Sequence, residues 1–393
     1  MLLADSHTLS PVASGSASIL RPLALESQGG FLGSITGKIS DLFTRHAAAL
    51  RQTLRVTIAT AAAYAAYKAL GLQQGYWAVF TVLIVIQGSI GGTLGAASDR
   101  MIGTLAGALL GGVAAAFHTG TTLGQGLALL AVTAIAVMGA ALYPALRIAP
   151  VTAAIMLLSQ PPGVAVEDFV VDRVIEIALG GAIGVLTTVF ILPARSHEIV
   201  VERAVGILRR IQRALLSQAD AMARGEAPAP SPEHPALRQA LAGIEQAMKE
   251  ADRERASRLA DHTIPPSIPR TLWRIRNDLV LIGNTLSLPL PETVAASLAP
   301  ATARLLRSQA VLAERCMAGL DARIAVVRDD VEESYLAFTG AFDELRRTGA
   351  IRPLDFEEAG RVFGLAFALE RLHRNFNDLT DRIDEIAAGA GQR

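Results

Sequence analysis

Two dipeptides stand out as places where chemistry could happen: Asp99-Arg100 and Asp172-Arg173, each set in a long apolar surrounding. They lie 73 positions apart. The same offset carries Gln87 onto Gln160, Ile102 onto Ile175, Gly107 onto Gly180, Gly111 onto Gly184 and Phe117 onto Phe190. Glycine matches are cheap in so biased a composition; the Gln, the Asp-Arg pair and the Phe are not, and the pattern reads as an internal duplication. A guanidinium forks onto carboxylates, so Arg100 and Arg173 point to recognition of an organic anion. Glu176 falls three residues after Arg173, on the same helix face. With Asp99 and Asp172 it completes the set of carboxylates placed to carry a proton. A plain structural ion pair between Glu176 and Arg173 is an equal reading, as is surface anchoring for Arg100. Gln87, Gln160, Trp77, Tyr76 and Thr81 would supply hydrogen bonds and stacking for an aromatic acid, although Trp and Tyr at span ends also serve as interfacial anchors.

These residues need elements to hold them. The chain has 393 residues, 51% hydrophobic, with a mean hydropathy of +0.38, too apolar for an ordinary soluble protein. Residues 56–192 hold only Lys68, Asp99, Arg100, Arg147, Glu167, Asp168, Asp172, Arg173 and Glu176 as charges, while the rest of the chain is ordinarily charged. Six membrane spans are expected, at about Arg55–Leu72, Tyr76–Ile90, Met101–Phe117, Leu123–Tyr143, Ala149–Gln160 and Val174–Leu192. The second and fifth are short and equivalent under the offset, the pattern that marks transport sites. Lys38, Arg45, Arg51, Arg55, Arg100, Arg147 and Arg195 fall on one side if both termini are cytoplasmic. Three crossings reverse direction, so the repeat would be inverted.

The expected fold class is therefore an all-α membrane protein: six transmembrane helices as an inverted 3+3 repeat, then a soluble helical bundle. Residues 1–54 would be a tail without a cleaved signal, followed by an amphipathic helix through Phe31, Ile35, Ile39 and Leu42 at the membrane surface. Residues 55–195 would form the membrane domain and 196–393 a cytoplasmic domain of about five long helices. No phosphate loop, Rossmann fingerprint, HExxH or GxSxG pattern is present, which argues against an enzyme. The single Cys316 excludes an intrachain disulfide framework, and the net charge of +0 gives no sign of nucleic acid. No cofactor is implied.

The run from Tyr76 to Gln87, then Gly91 to Leu94, Arg100 and Ile102 to Gly107, preceded by Arg55 and followed by Arg173, Glu176 and Gly180, resembles the fusaric acid resistance/aromatic acid exporter family of bacterial inner-membrane proteins. Gly88 stands where that family often has Pro. The resemblance covers about residues 50–195. It implies movement of organic anions across the bilayer. It also implies a homodimer, because many members carry two membrane units in one chain and this chain has one, as in the related plant malate-channel family. It does not separate a proton-coupled exporter from a channel. A membrane-anchored scaffold, with the helical domain as its working part, is the competing reading.

Overall fold

The computed structural model describes residues 47–117, 120–161, 163–228, 233–259 and 264–391. The amphipathic helix expected at 31–45 lies outside them. Residues 52–393 form one compact unit. Among the described residues there are twelve α-helices and no strand. The apolar part contains α1 (Ala47–Ala69), α2 (Tyr76–Val85), α3 (Ile90–Phe117), α4 (Thr122–Leu142), α5 (Ala149–Leu158) and α6 (Val166–Phe190). The charged part contains α7 (Ser196–Arg224), α8 (Glu233–Ala256), α9 (Ser267–Thr285), α10 (Glu292–Ala322), α11 (Asp329–Thr348) and α12 (Phe356–Gly391).

Two helices, α3 and α4, are long and apolar enough to cross a membrane; α2 and the segment Pro144–Leu158 are shorter apolar helices. On α4 only Val132 and Ala136 are buried, so a helix apolar all round leaves most of its surface uncovered by protein. Its start is fixed by Thr121, whose hydroxyl accepts from Gly124 N at 3.0 Å.

Helix α3 begins at Ile90, not at Met101 as expected, and α6 begins at Val166, not at Val174. Arg100 and Arg173 therefore sit inside helices rather than at their starts.

Glycines set how closely these helices approach. A Cβ on Gly107 would strike the Ala149 carbonyl and Thr152 of α5; a Cβ on Gly180 would strike the Ala78 carbonyl and Thr81 of α2. One pair of contacts recurs at two crossings. The glycines differ by 73 in number, but Ala78 to Ala149 and Thr81 to Thr152 are both steps of 71. The ungapped offset thus fails across α2 and α5, and Gln160 is not the counterpart of Gln87.

Arg55 joins α1 to the ends of α2 and α6. It is 1% exposed. Its Nε donates to Ile191 O at 3.2 Å, Nη2 to Leu192 O, and Nη1 to Gln87 O and Gln52 Oε1. Carbonyls at a helix C-terminus lack intrahelical donors and carry partial negative charge, so a cation there satisfies both needs. Leu192 is held at φ 50 beside it.

The bundle has one core, from Val200 of α7 to Ile383 of α12, with α10 packed along α7 and α12 along α9. His373 of α12 is buried, stacked on Tyr335 at 4.1 Å, with Nε2 3.1 Å from Glu332.

Arg55→Ala should cost about 2–4 kcal/mol, since several buried carbonyls lose their donor. Arg55→Lys should recover only part, lacking the fork; thermal unfolding in detergent reads both. Burial holds the His373 imidazole below its ordinary range, against the opposing pull of Glu332. The unfolded chain then binds this proton first, near pH 6.5 or about that. Stability is full above that pH and falls as pH drops toward the folded value. His373→Gln should flatten this acid-side decline in unfolding midpoint.

Candidate functional site

Arg173 lies two turns into α6 and is 2% exposed. Its Nη2 donates to Gln74 Oε1 at 2.5 Å, and Nη1 is 3.4 Å from Glu176 Oε2. The guanidinium stands 4.5 Å from the Trp77 ring centroid and 5.2 Å from that of Phe169. Two aromatic faces, an amide and a carboxylate thus surround one cation. Phe169 and Arg173 are one turn apart on α6, as are Trp77 and Thr81 on α2. Tyr76 is half exposed; its hydroxyl donates to Gln74 Oε1 at 3.5 Å, and its ring meets Trp77 and Phe80.

Arg100 is the other half of the site and is treated differently. It is 6% exposed, and among the described residues it makes no ion pair and no hydrogen bond. The repeated crossing explains why its partners are missing. Arg173 is seven residues before Gly180 and meets Gln74 and Trp77, each four residues before the Ala78 and Thr81 that touch that glycine. The same step back from Ala149 and Thr152 gives Ala145 and Ile148, which pack at Gly103. Where Arg173 has an amide and an indole, Arg100 has alanine and isoleucine. Where Arg173 has Glu176 three residues on, Arg100 has Gly103.

The helices run antiparallel, with Gly112 of α3 against Val166 and Val170 of α6. At 1.5 Å rise per residue this puts the two arginines about 10 Å apart in depth. Thr104 lies between, one turn beyond Arg100. The Thr104 and Thr81 hydroxyls, Trp77 Nε1 and both arginine Nε atoms are buried without a partner among the described residues. In all, two guanidinium groups and one carboxylate are buried within about 10 Å of depth, with donors that lack partners among the described residues, an arrangement suited to an anion with a planar apolar body.

Of the other expected residues, Asp99 and Asp172 are exposed. Gln87 and Gln160 are not brought to the arginines. Gln87 Nε2 donates to Ile84 O at 3.1 Å, and Gln160 Nε2 to Val164 O at 2.9 Å; both amides serve their own turns. Gln74 and Phe169 were missed. Phe169 was findable from its spacing to Arg173 once the acidic first turn, Glu167 and Asp168, marks the start of α6. Nothing in the Leu72-Gln73-Gln74-Gly75 turn singles out Gln74. Among the described residues no group of three or more His, Cys, Asp and Glu could hold a metal.

Fold and site together define an all-helical protein with membrane-type apolar helices and a buried cationic centre. Residues 60–187, from α1 to the last turn of α6, match the family described as fusaric acid resistance protein-like. The family points to membrane transport or resistance and away from catalysis. No match to the chain was found among curated proteins.

Glu176→Gln removes the one carboxylate paired with Arg173. It should tighten binding of a carboxylated ligand several-fold and leave the unfolding midpoint nearly unchanged, since Gln74 and the two rings still hold the guanidinium; ligand-induced quenching of tryptophan fluorescence measures it.

Proposed function

We propose that the chain is a secondary transporter that moves organic, aromatic carboxylate anions out of a bacterial cell across the inner membrane. The observation that carries this reading is Arg100: a guanidinium buried to 6% exposure in an apolar helix, with no counterion and no side-chain hydrogen bond among the described residues, about 10 Å in depth from a second buried arginine. An isolated cation in a membrane interior costs about 3 kcal/mol or more and calls for a partner. A carboxylate arriving at Arg100 supplies one, and Arg173, about 10 Å further along, offers the next stop. Trp77 and Phe169 provide faces for an aromatic ring. Glu176, released from Arg173 by the anion, takes the proton that couples movement to the pH gradient.

Six spans, α1 to α6, form an inverted repeat in this reading, with both termini cytoplasmic, and two copies make the working dimer. The like-built crossings of α3 on α5 and α6 on α2 support the repeat. Asp99 and Asp172, being exposed, are left as surface carboxylates beside the path.

The test is uptake of a labelled hydroxybenzoate into inverted vesicles carrying the purified protein, with and without an imposed pH gradient. Accumulation above equilibrium only with the gradient is the expected result, and Arg100→Gln should reduce it at least tenfold with the protein still in the membrane. Equilibration indifferent to pH would make the path a channel. Undiminished uptake in Arg100→Gln would remove the arginine from the mechanism.

A further inference from the structure

The cytoplasmic end of α3 is built by residues from elsewhere in the chain. Its first backbone donors are all used: Ile90 N bonds Ala194 O at 3.2 Å, Gly91 N bonds Ser196 Oγ at 3.3 Å, Gly92 N bonds Ser89 Oγ at 2.9 Å and Thr93 N bonds Ser89 O at 3.0 Å. Helix α8 of the bundle holds the two serines. Ser89 Oγ donates to Glu250 Oε2 at 2.6 Å, and Ser196 N donates to Glu254 Oε2 at 2.8 Å. Glu254 is 0% exposed, and its second oxygen has no partner among the described residues. Two helix N-termini, those of α3 and α7, thus converge on two carboxylates of one helix, the sign that their dipoles favour. The fit is close: a Cβ on Gly91 would strike the Glu250 backbone, and one on Gly95 would strike Arg253.

Helix α3 runs unbroken from this junction to Arg100, about 15 Å along its axis. A shift or rotation of its first turn therefore moves Arg100. We infer that Glu250 and Glu254 are positioning residues for the arginine site, through which the helical bundle sets the depth and rotation of α3. This rests on the transport reading above only for its effect on flux; the placement of α3 is measurable without it.

Spin labels at Ser98→Cys on α3 and Ile175→Cys on α6, both exposed, report that placement in the full chain; the native Cys316 is buried. With Glu250→Ala and Glu254→Ala together, the interlabel distance should shift by about 1.5 Å or more, one residue's rise, or its distribution should broaden clearly. Glu250→Gln, which keeps an acceptor for Ser89, should restore a distribution like the parent's. In vesicles the double change should raise the KM for the anion several-fold, while Glu250→Gln alone stays within about twofold, below half a decade of equilibrium constant. An unchanged distance in a folded double variant would overturn the inference. If the parent protein carries no anion at all, the transport reading fails, and the distance measurement still decides this one.

Discussion

A guanidinium keeps its proton under any condition the protein meets, so Arg100 and Arg173 are permanent charges wherever the chain puts them. Much of the apolar part answers to that constraint. Arg173 is given a carboxylate, an amide and two ring faces. Arg100 is given none of these, although the backbone around it is arranged almost identically. Geometry is repeated and chemistry is not. Glycines at 103, 107 and 111 on one helix, and at 180 and 184 on the other, let backbones meet closely enough that any larger residue would collide. Those contacts set the depth of both arginines against the neighbouring helices.

Arg55 answers the same constraint in another way. It too is buried, yet it is spent on carbonyls at the ends of α2 and α6. Three buried arginines thus have three fates: one caps helix ends, one is boxed by aromatic rings and a carboxylate, and one has no protein partner among the described residues. The contrast is what makes the last informative.

Much of the bundle was legible in advance. The stripe Ile199, Val200, Ala204, Ile207, Leu208, Ile211, Leu215 marks α7 to within a residue of its observed start, and the proline-bearing breaks mark the turns. The starts of α3 and α6 were not. Gly91, Gly92 and Gly95 read as a bend because glycine weakens a helix by about 1 kcal/mol each; here they are what lets α8 lie against the backbone. The ungapped repeat aligns both arginines but also pairs Gln87 with Gln160, which the helix crossings do not, because the stretch between α5 and α6 is two residues longer than its counterpart. The role of Arg55, whose acceptors lie up to 137 residues away, has no local signature at all.

The borrowed cap on α3 bears on how the chain can be divided. Composition changes sharply after Phe190, and a cut there looks natural. It would remove Ala194 and Ser196, leave two amides at the head of α3 without their acceptors, and leave Glu250 in the other piece without the Ser89 hydroxyl that donates to it. Either fragment would inherit an unfinished end. The border visible in the amino-acid composition is not a border in the hydrogen bonding, and the smallest separable piece of this protein is larger than its apolar stretch.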